Sequence, residues 1–152
     1  MTKNKEEMNN FLGRLFNNIL KIEEDALKKD EFRDLSVKEM HILEAIGQTD
    51  NSSQIMLTKI ARGLSITPGT LTVAINALER KGYLDRCKSV ADGRVVEVKL
   101  TPKGVSANVW HAKFHAALVD TISDNLAEDE LESFTLGLKK ITTYFDSVKI
   151  NN

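Results

Sequence analysis

The sequence predicts a mainly α-helical chain with one small β-hairpin, a winged helix-turn-helix lobe carried between long flanking helices. Three observations predict it. Two short helical segments meet at a tight Leu64-Ser65-Ile66 connection. Two strand-like runs follow at once, joined by a turn around Asp92-Gly93. Long apolar-striped stretches stand at both ends of the chain. The expected order is α-α-α-α-β-β-α-α, and two helices at a short turn followed by a hairpin make a winged helix-turn-helix.

Each element has its own signal. Phe11, Leu12, Leu15, Phe16, Ile19 and Ile22 recur at helical spacing, so residues 5–29 read as one helix. Ser36 with Glu39 three residues on forms a capping box for a second helix, which runs to about Gly47, and Leu35 can staple onto Met40. Thr49 to Ser53 reads as loop. A short helix over 54–62 is expected to end at Gly63 in a left-handed conformation. Thr67 caps the next helix, Pro68 fills its first position, and Gly82 follows its last turn near Lys81. Residues 83–88 and 95–100 suit short strands. Thr101-Pro102 repeats the cap-plus-proline start for a helix over 102–125, and a last helix runs from Glu128 to Val148.

No repeat, low-complexity segment or linker divides the 152 residues, so one domain is expected over 1–152, with the winged lobe at 35–104. The helices at 5–29 and 102–148 are apolar enough to need a partner. No run of 18 apolar residues suggests a membrane helix. The N-terminus lacks a signal peptide's apolar block, and the single cysteine, Cys87, excludes an internal disulfide, so a reducing cytoplasm is expected. The net charge of −1 hides an asymmetry. Residues 50–104 carry nine Lys/Arg and five Asp/Glu, a net +4, where a surface facing nucleic acid would need it.

At 100° per residue, Leu71, Ala74, Ile75 and Leu78 share one arc of the 67–81 helix and should face the core. Gly69, Thr72, Val73, Asn76 and Arg80 fall opposite. Thr72 and Asn76 can bond base edges or phosphates, and Val73 suits a thymine methyl group. Thr67 and Thr70 stand at the helix N-terminus, where free N–H groups can hold a phosphate. Arg86, Lys88 and Arg94 flank the hairpin, where a basic side chain could enter a minor groove, and Asp92 could hold Arg94 by a bidentate pair. An ordinary amphipathic helix with a solvated face, and an Asp92-Gly93 turn beside a solvated Arg94, remain the plainer alternatives.

Catalytic signals are missing. Cys87 is far in sequence from every histidine, and His111-Ala112-Lys113-Phe114-His115 lacks the glutamate of a zinc-protease helix. No phosphate-binding glycine loop or dinucleotide fingerprint occurs, so no enzyme is expected. Glu128-Asp129-Glu130 reads as charge favouring a helix start. His111 and His115 lie four apart on one helical face with Phe114, Leu118 and Ile122, and His41 sits on the second helix. Packing histidines, an effector pocket and a metal site all fit that pattern.

With these residues in view, the chain resembles the MarR family of bacterial transcriptional regulators. The likeness lies in Leu35-Ser36, in Ile60 to Thr67 across the turn, in Leu78 to Leu84, in Asp92-Gly93-Arg94 and in Leu100 to Gly104. The resemblance implies a homodimer built from the first and last two helices, a recognition helix in the major groove and Arg94 in the minor groove, oriented by Asp92. It also implies a repressor on pseudo-palindromic double-stranded promoter DNA. Ile22-Glu23-Glu24, Lys38 to His41, Arg94 to Val96 and His111 to His115 are similar to the FabT-type branch of fatty-acid-synthesis repressors. That branch implies long-chain acyl-acyl carrier protein as co-repressor, with the acyl chain in a tunnel between the dimer helices and the winged lobes. Glu24, His41, His111 and His115 also resemble ligand positions of the zinc-sensing branch, which implies zinc as an alternative effector. A protein-binding relative that has left DNA is the competing class; Arg86, Lys88 and Arg94 on the wing argue against it.

Overall fold

The computed structural model describes residues 2–49 and 54–150. The elements run α1 (Lys3–Lys28), α2 (Val37–Gly47), α3 (Gln54–Gly63), α4 (Pro68–Arg80), β1 (Leu84–Lys88), β2 (Val96–Leu100), α5 (Pro102–Ser123) and α6 (Glu128–Ile150). This is the expected order. The anticipated loop at 49–53 lies, beyond Thr49, outside the described residues. Contacts divide the chain into two units, 1–112 and 113–152, and each is described by itself. No helix of the described residues is long and apolar enough to cross a membrane.

The helix starts are set by the expected caps. Ser36 Oγ accepts from the Glu39 amide at 3.2 Å, and Glu39 Oε2 accepts from the Ser36 amide at 2.8 Å, closing the box. Thr67 Oγ1 accepts from the Thr70 amide at 3.1 Å, with Pro68 in the first turn of α4. Thr101 Oγ1 accepts from the Gly104 amide at 3.1 Å and donates to the Gly82 carbonyl at 2.6 Å, so it both caps α5 and ties it to the end of α4. Gly104 is required there, because a Cβ would stand 2.3 Å from the Tyr83 carbonyl oxygen.

One helix end differs from expectation. Gly63 stays helical, and the left-handed residue is Ser65, with φ 56°. The Ile66 amide reaches the Ala61 carbonyl at 3.0 Å, and the Ser65 amide reaches Arg62 at 3.1 Å. That pair of bonds forces a positive φ on the residue between them. Half-buried Ile66 then packs on the core that contains Ala61, and this contact settles the register two residues beyond the glycine. At the end of α4 the same motif falls on Gly82, φ 80°, as its sequence suggests.

The core of the first unit gathers Leu27, Leu35, Met40, Leu43, Ile46, Leu71, Ile75, Leu78, Tyr83, Leu84 and Val98. It is closed by polar ties. Tyr83 Oη donates to Asp34 at 2.6 Å, Lys81 Nζ donates to Glu39 at 2.8 Å, and Trp110 Nε1 donates to Asp30 at 2.7 Å. The antiparallel hairpin pairs Leu84 with Leu100, Arg86 with Val98 and Lys88 with Val96. On α1, Phe11, Leu12, Leu15, Phe16 and Leu20 remain exposed. In the second unit, Leu138, Ile141, Tyr144 and Phe145 of α6 are likewise exposed.

Candidate nucleic-acid interface

Helix α4 divides as its periodicity demands. Leu71, Ile75 and Leu78 are buried, and Ala74 is half-buried. Gly69, Thr72, Val73 and Arg80 are exposed, and Asn76 is half-buried at the edge of that face. Val73 is an apolar side chain left 68% in solvent on an otherwise polar surface. Thr72 Oγ1 donates to the Pro68 carbonyl at 2.9 Å, which uses its hydrogen and leaves its oxygen lone pairs outward. Thr67 and Thr70 share a hydroxyl bond of 2.8 Å at the helix start. Partners on the helix therefore fix both hydroxyls before any ligand arrives.

The hairpin presents its cations unequally. Lys88 is exposed. Arg94 is 92% exposed, and Asp92 Oδ1 accepts from both its backbone amide at 3.0 Å and its Nε at 3.2 Å. The expected bidentate fork is replaced by one oxygen serving two N–H groups. The two-residue spacing brings the Arg94 amide and the near side of the guanidinium to the same oxygen. The bond engages Nε rather than the two terminal nitrogens. The backbone amide of Arg94, then its side chain, hold the Asp92 carboxyl below its usual range.

Arg86 is turned the other way. Its Nη1 pairs with Glu79, and its Nη2 donates to Asn76 Oδ1 at 2.6 Å. It was expected to flank the hairpin with Lys88 and Arg94; it is exposed as they are, and it also bridges β1 to α4. The two i, i+3 positions Asn76 and Glu79 lie on one helical edge, opposite β1, and together accept the guanidinium. The sequence signal was present in that spacing, but only the packing of β1 beside α4 shows which cation reaches it.

A second polar constellation lies in the first unit, away from this surface. Glu23, His41 and His111 each offer a ligand atom, and these lie within 4.8 Å of one another. Glu23 Oε1 accepts from His41 Nε2 at 3.1 Å and from His111 Nε2 at 2.8 Å. Glu23 and His111 are almost fully buried, and His111 Nδ1 stands 3.4 Å from Glu44 Oε2. Glu24 does not join this cluster. It is exposed and pairs with Lys28 at 3.8 Å, since one residue on a helix turns the side chain by about 100°. His115 follows His111 by four residues on the continuous α5 and is half-buried in the second unit.

An apolar cavity of about 460 Å³ opens between α2 and α4. Ile42, Leu64, Ile66, Val73, Ala74 and Ala77 supply its apolar wall, and Lys38 and His41 stand at its polar side. One wall is thus α4 itself.

Known proteins place this architecture. The model of the MarR family matches residues 35–96. FabT of Streptococcus pneumoniae, solved in complex with DNA, superposes with a TM-score of 0.87 at 36% identity, covering 95% of this chain and 99% of that one. The multiple antibiotic resistance protein MarR of Salmonella typhimurium is 30% identical over 109 residues, 71% of this chain and 74% of that protein. The transcriptional regulator SarZ of Staphylococcus haemolyticus is 28% identical over 96 residues, 63% of this chain; the match spans 58% of SarZ's length. With a family match over the winged lobe and relatives that extend it across both flanking helices, the chain belongs to the MarR family.

Proposed function

We propose that the protein is a cytoplasmic, homodimeric repressor that reads pseudo-palindromic promoter DNA. Helix α4 enters the major groove, and Arg94 enters the adjacent minor groove. The observation that carries this reading is the pairing of an exposed, pre-bonded α4 face with a solvent-facing Arg94 braced by Asp92. The likeness to FabT, solved on DNA, supports it. The exposed apolar residues of α1 and of α6 support pairing with a second copy.

The effector reading follows the same likeness. A long acyl chain on acyl carrier protein would sit against the apolar wall between α2 and α4. An occupant there touches Val73, Ala74 and Ala77, so it favours one setting of the reading helix and shifts the equilibrium by its differential affinity. Regulation of fatty-acid-synthesis genes is the function this implies. Fluorescence anisotropy on duplex DNA, with and without long-chain acyl-acyl carrier protein, tests it. Tighter binding with the acylated carrier supports the co-repressor role; an identical affinity with and without it refutes that role and leaves DNA binding standing. Loss of affinity with rising salt is the expected mark of phosphate contacts.

A second effector reading rests on the buried cluster. Glu23, His41 and His111 form an N/O donor set that suits zinc, with Glu44 behind the far nitrogen of His111 as an orienting carboxylate. Bound zinc would stiffen the DNA-binding form. Metal analysis of untagged protein after incubation with excess zinc decides this, since a zinc content near zero removes the reading.

A further inference from the structure

Arg86 was expected to touch DNA, yet both arms of its guanidinium are engaged by side chains of α4. Glu79 neutralises one arm of its guanidinium, and the other arm holds Asn76. The chemistry of that second bond is one-directional. A guanidinium carries only donors, so Asn76 can meet it only through its carbonyl oxygen. An asparagine whose oxygen is bound to a guanidinium cannot flip its amide: the oxygen keeps one lone pair beside the cation, and the NH₂ is the end left unengaged. A free asparagine reads adenine through both ends at once, accepting from N6 and donating to N7. Asn76 shares the accepting half of that contact with Arg86 and cannot turn it freely to a base while Arg86 is in place.

We infer that Arg86 is a positioning residue for base recognition: by holding Asn76 through Oδ1, it fixes the orientation of the amide, so that this position of α4 offers a base chiefly its NH₂ donor. The inference rests on α4 reading DNA as proposed above. The bases that suit a lone donor are those with exposed major-groove acceptors, guanine through O6 and N7 and thymine through O4. Cytosine offers only an amino donor, and adenine sets its amino donor beside N7, so both are disfavoured. Glu79 has a part in the same device. It keeps the guanidinium from swinging to a phosphate, so the orientation of the amide survives contact with the duplex.

The test begins with selection of duplexes from a randomised library by the full-length protein. Asn76→Ala then marks the base pair whose preference depends on Asn76. At that base pair, wild type is expected to favour guanine or thymine over adenine about tenfold. Arg86→Gln frees the amide to turn, and the preference should fall to within about twofold. Binding elsewhere in the site and the salt slope should stay as in wild type. Arg86→Lys, whose ammonium also only donates, should retain the preference. In the Asn76→Ala background, Arg86→Gln should add no further loss at that base pair.

Three results overturn the inference. A folded Arg86→Gln that keeps the full preference makes the bond a simple structural tie. A folded Arg86→Gln that lowers the salt slope by about one with base preference intact makes Arg86 a phosphate contact. Should Arg86→Gln fail to fold, a folded Arg86→Lys that loses the preference overturns it equally. A wild-type protein that enriches no sequence at all refutes the DNA-reading proposal itself, a result distinct from each of these.

Discussion

The first unit holds two polar constellations built on opposite principles. Around Glu23, charge is taken out of water, and one carboxylate oxygen serves two imidazoles at 2.8 and 3.1 Å. On α4 and the hairpin, polar groups stay in water and are held by short local bonds, Thr72 to Pro68 and Arg94 to Asp92. In the first, each member is an obligation of the others, because a buried polar group without a partner is expensive. In the second, Thr72 and Arg94 can let go of their partners for a ligand at little penalty. Stability and recognition are therefore separable, and substitutions should sort accordingly.

The sharpest break is expected at Glu23. Glu23→Ala removes the acceptor shared by His41 Nε2 and buried His111 Nε2, so urea unfolding should show a loss of about 2–3 kcal/mol. A loss below 0.5 kcal/mol, roughly that of a surface change, would mean the cluster is not organised by its carboxylate. Arg94→Ala should do the reverse. DNA affinity should weaken by about 1–3 kcal/mol, with the melting temperature unmoved. Wild-type affinity in that variant would remove the minor-groove assignment.

The remaining contrasts are smaller. Ser65→Gly relieves a left-handed residue that carries a Cβ, and a gain of about 0.5–1 kcal/mol should remain after glycine's added chain entropy. Thermal unfolding at matched concentration checks it, and a loss would mean that the Ser65 side chain matters more than its backbone. The last concerns acid. Burial pushes the Glu39 carboxyl up, but bonds from Lys81 and Ser36 outweigh it and hold the group below its ordinary 4.5. A depressed carboxylate stabilises the fold above its unfolded pKa, and that contribution disappears as pH falls through the folded value. Stability should therefore decline below about pH 4.5, and Glu39→Gln should flatten that decline in denaturant titrations from pH 6 to 3.

Much of this was legible in the chain. The capping box at Ser36, the Thr-Pro starts at Thr67 and Thr101, and the inward arc of Leu71, Ile75 and Leu78 are local patterns, and local patterns write themselves into sequence. What escaped depends on tertiary register. Glu23 and Glu24 are chemically identical and adjacent, and only the packing of α1 decides which one meets the histidines. Gly63 was the natural left-handed residue, but Ile66 reaches the core only if the turn closes at Ser65. Arg86 looked like its neighbours on the wing until the packing of β1 beside α4 set it against Asn76 and Glu79.

The open stripe of Phe11, Leu15 and Phe16 on α1 bears on time as well as on shape. A helix with such a stripe gains little by forming alone in water, because its apolar face stays wet until another copy covers it. Under the pairing proposed here, completion of the fold is a meeting of two chains. Its rate should scale with how often they collide, and dilute protein should finish folding later and melt sooner than concentrated protein.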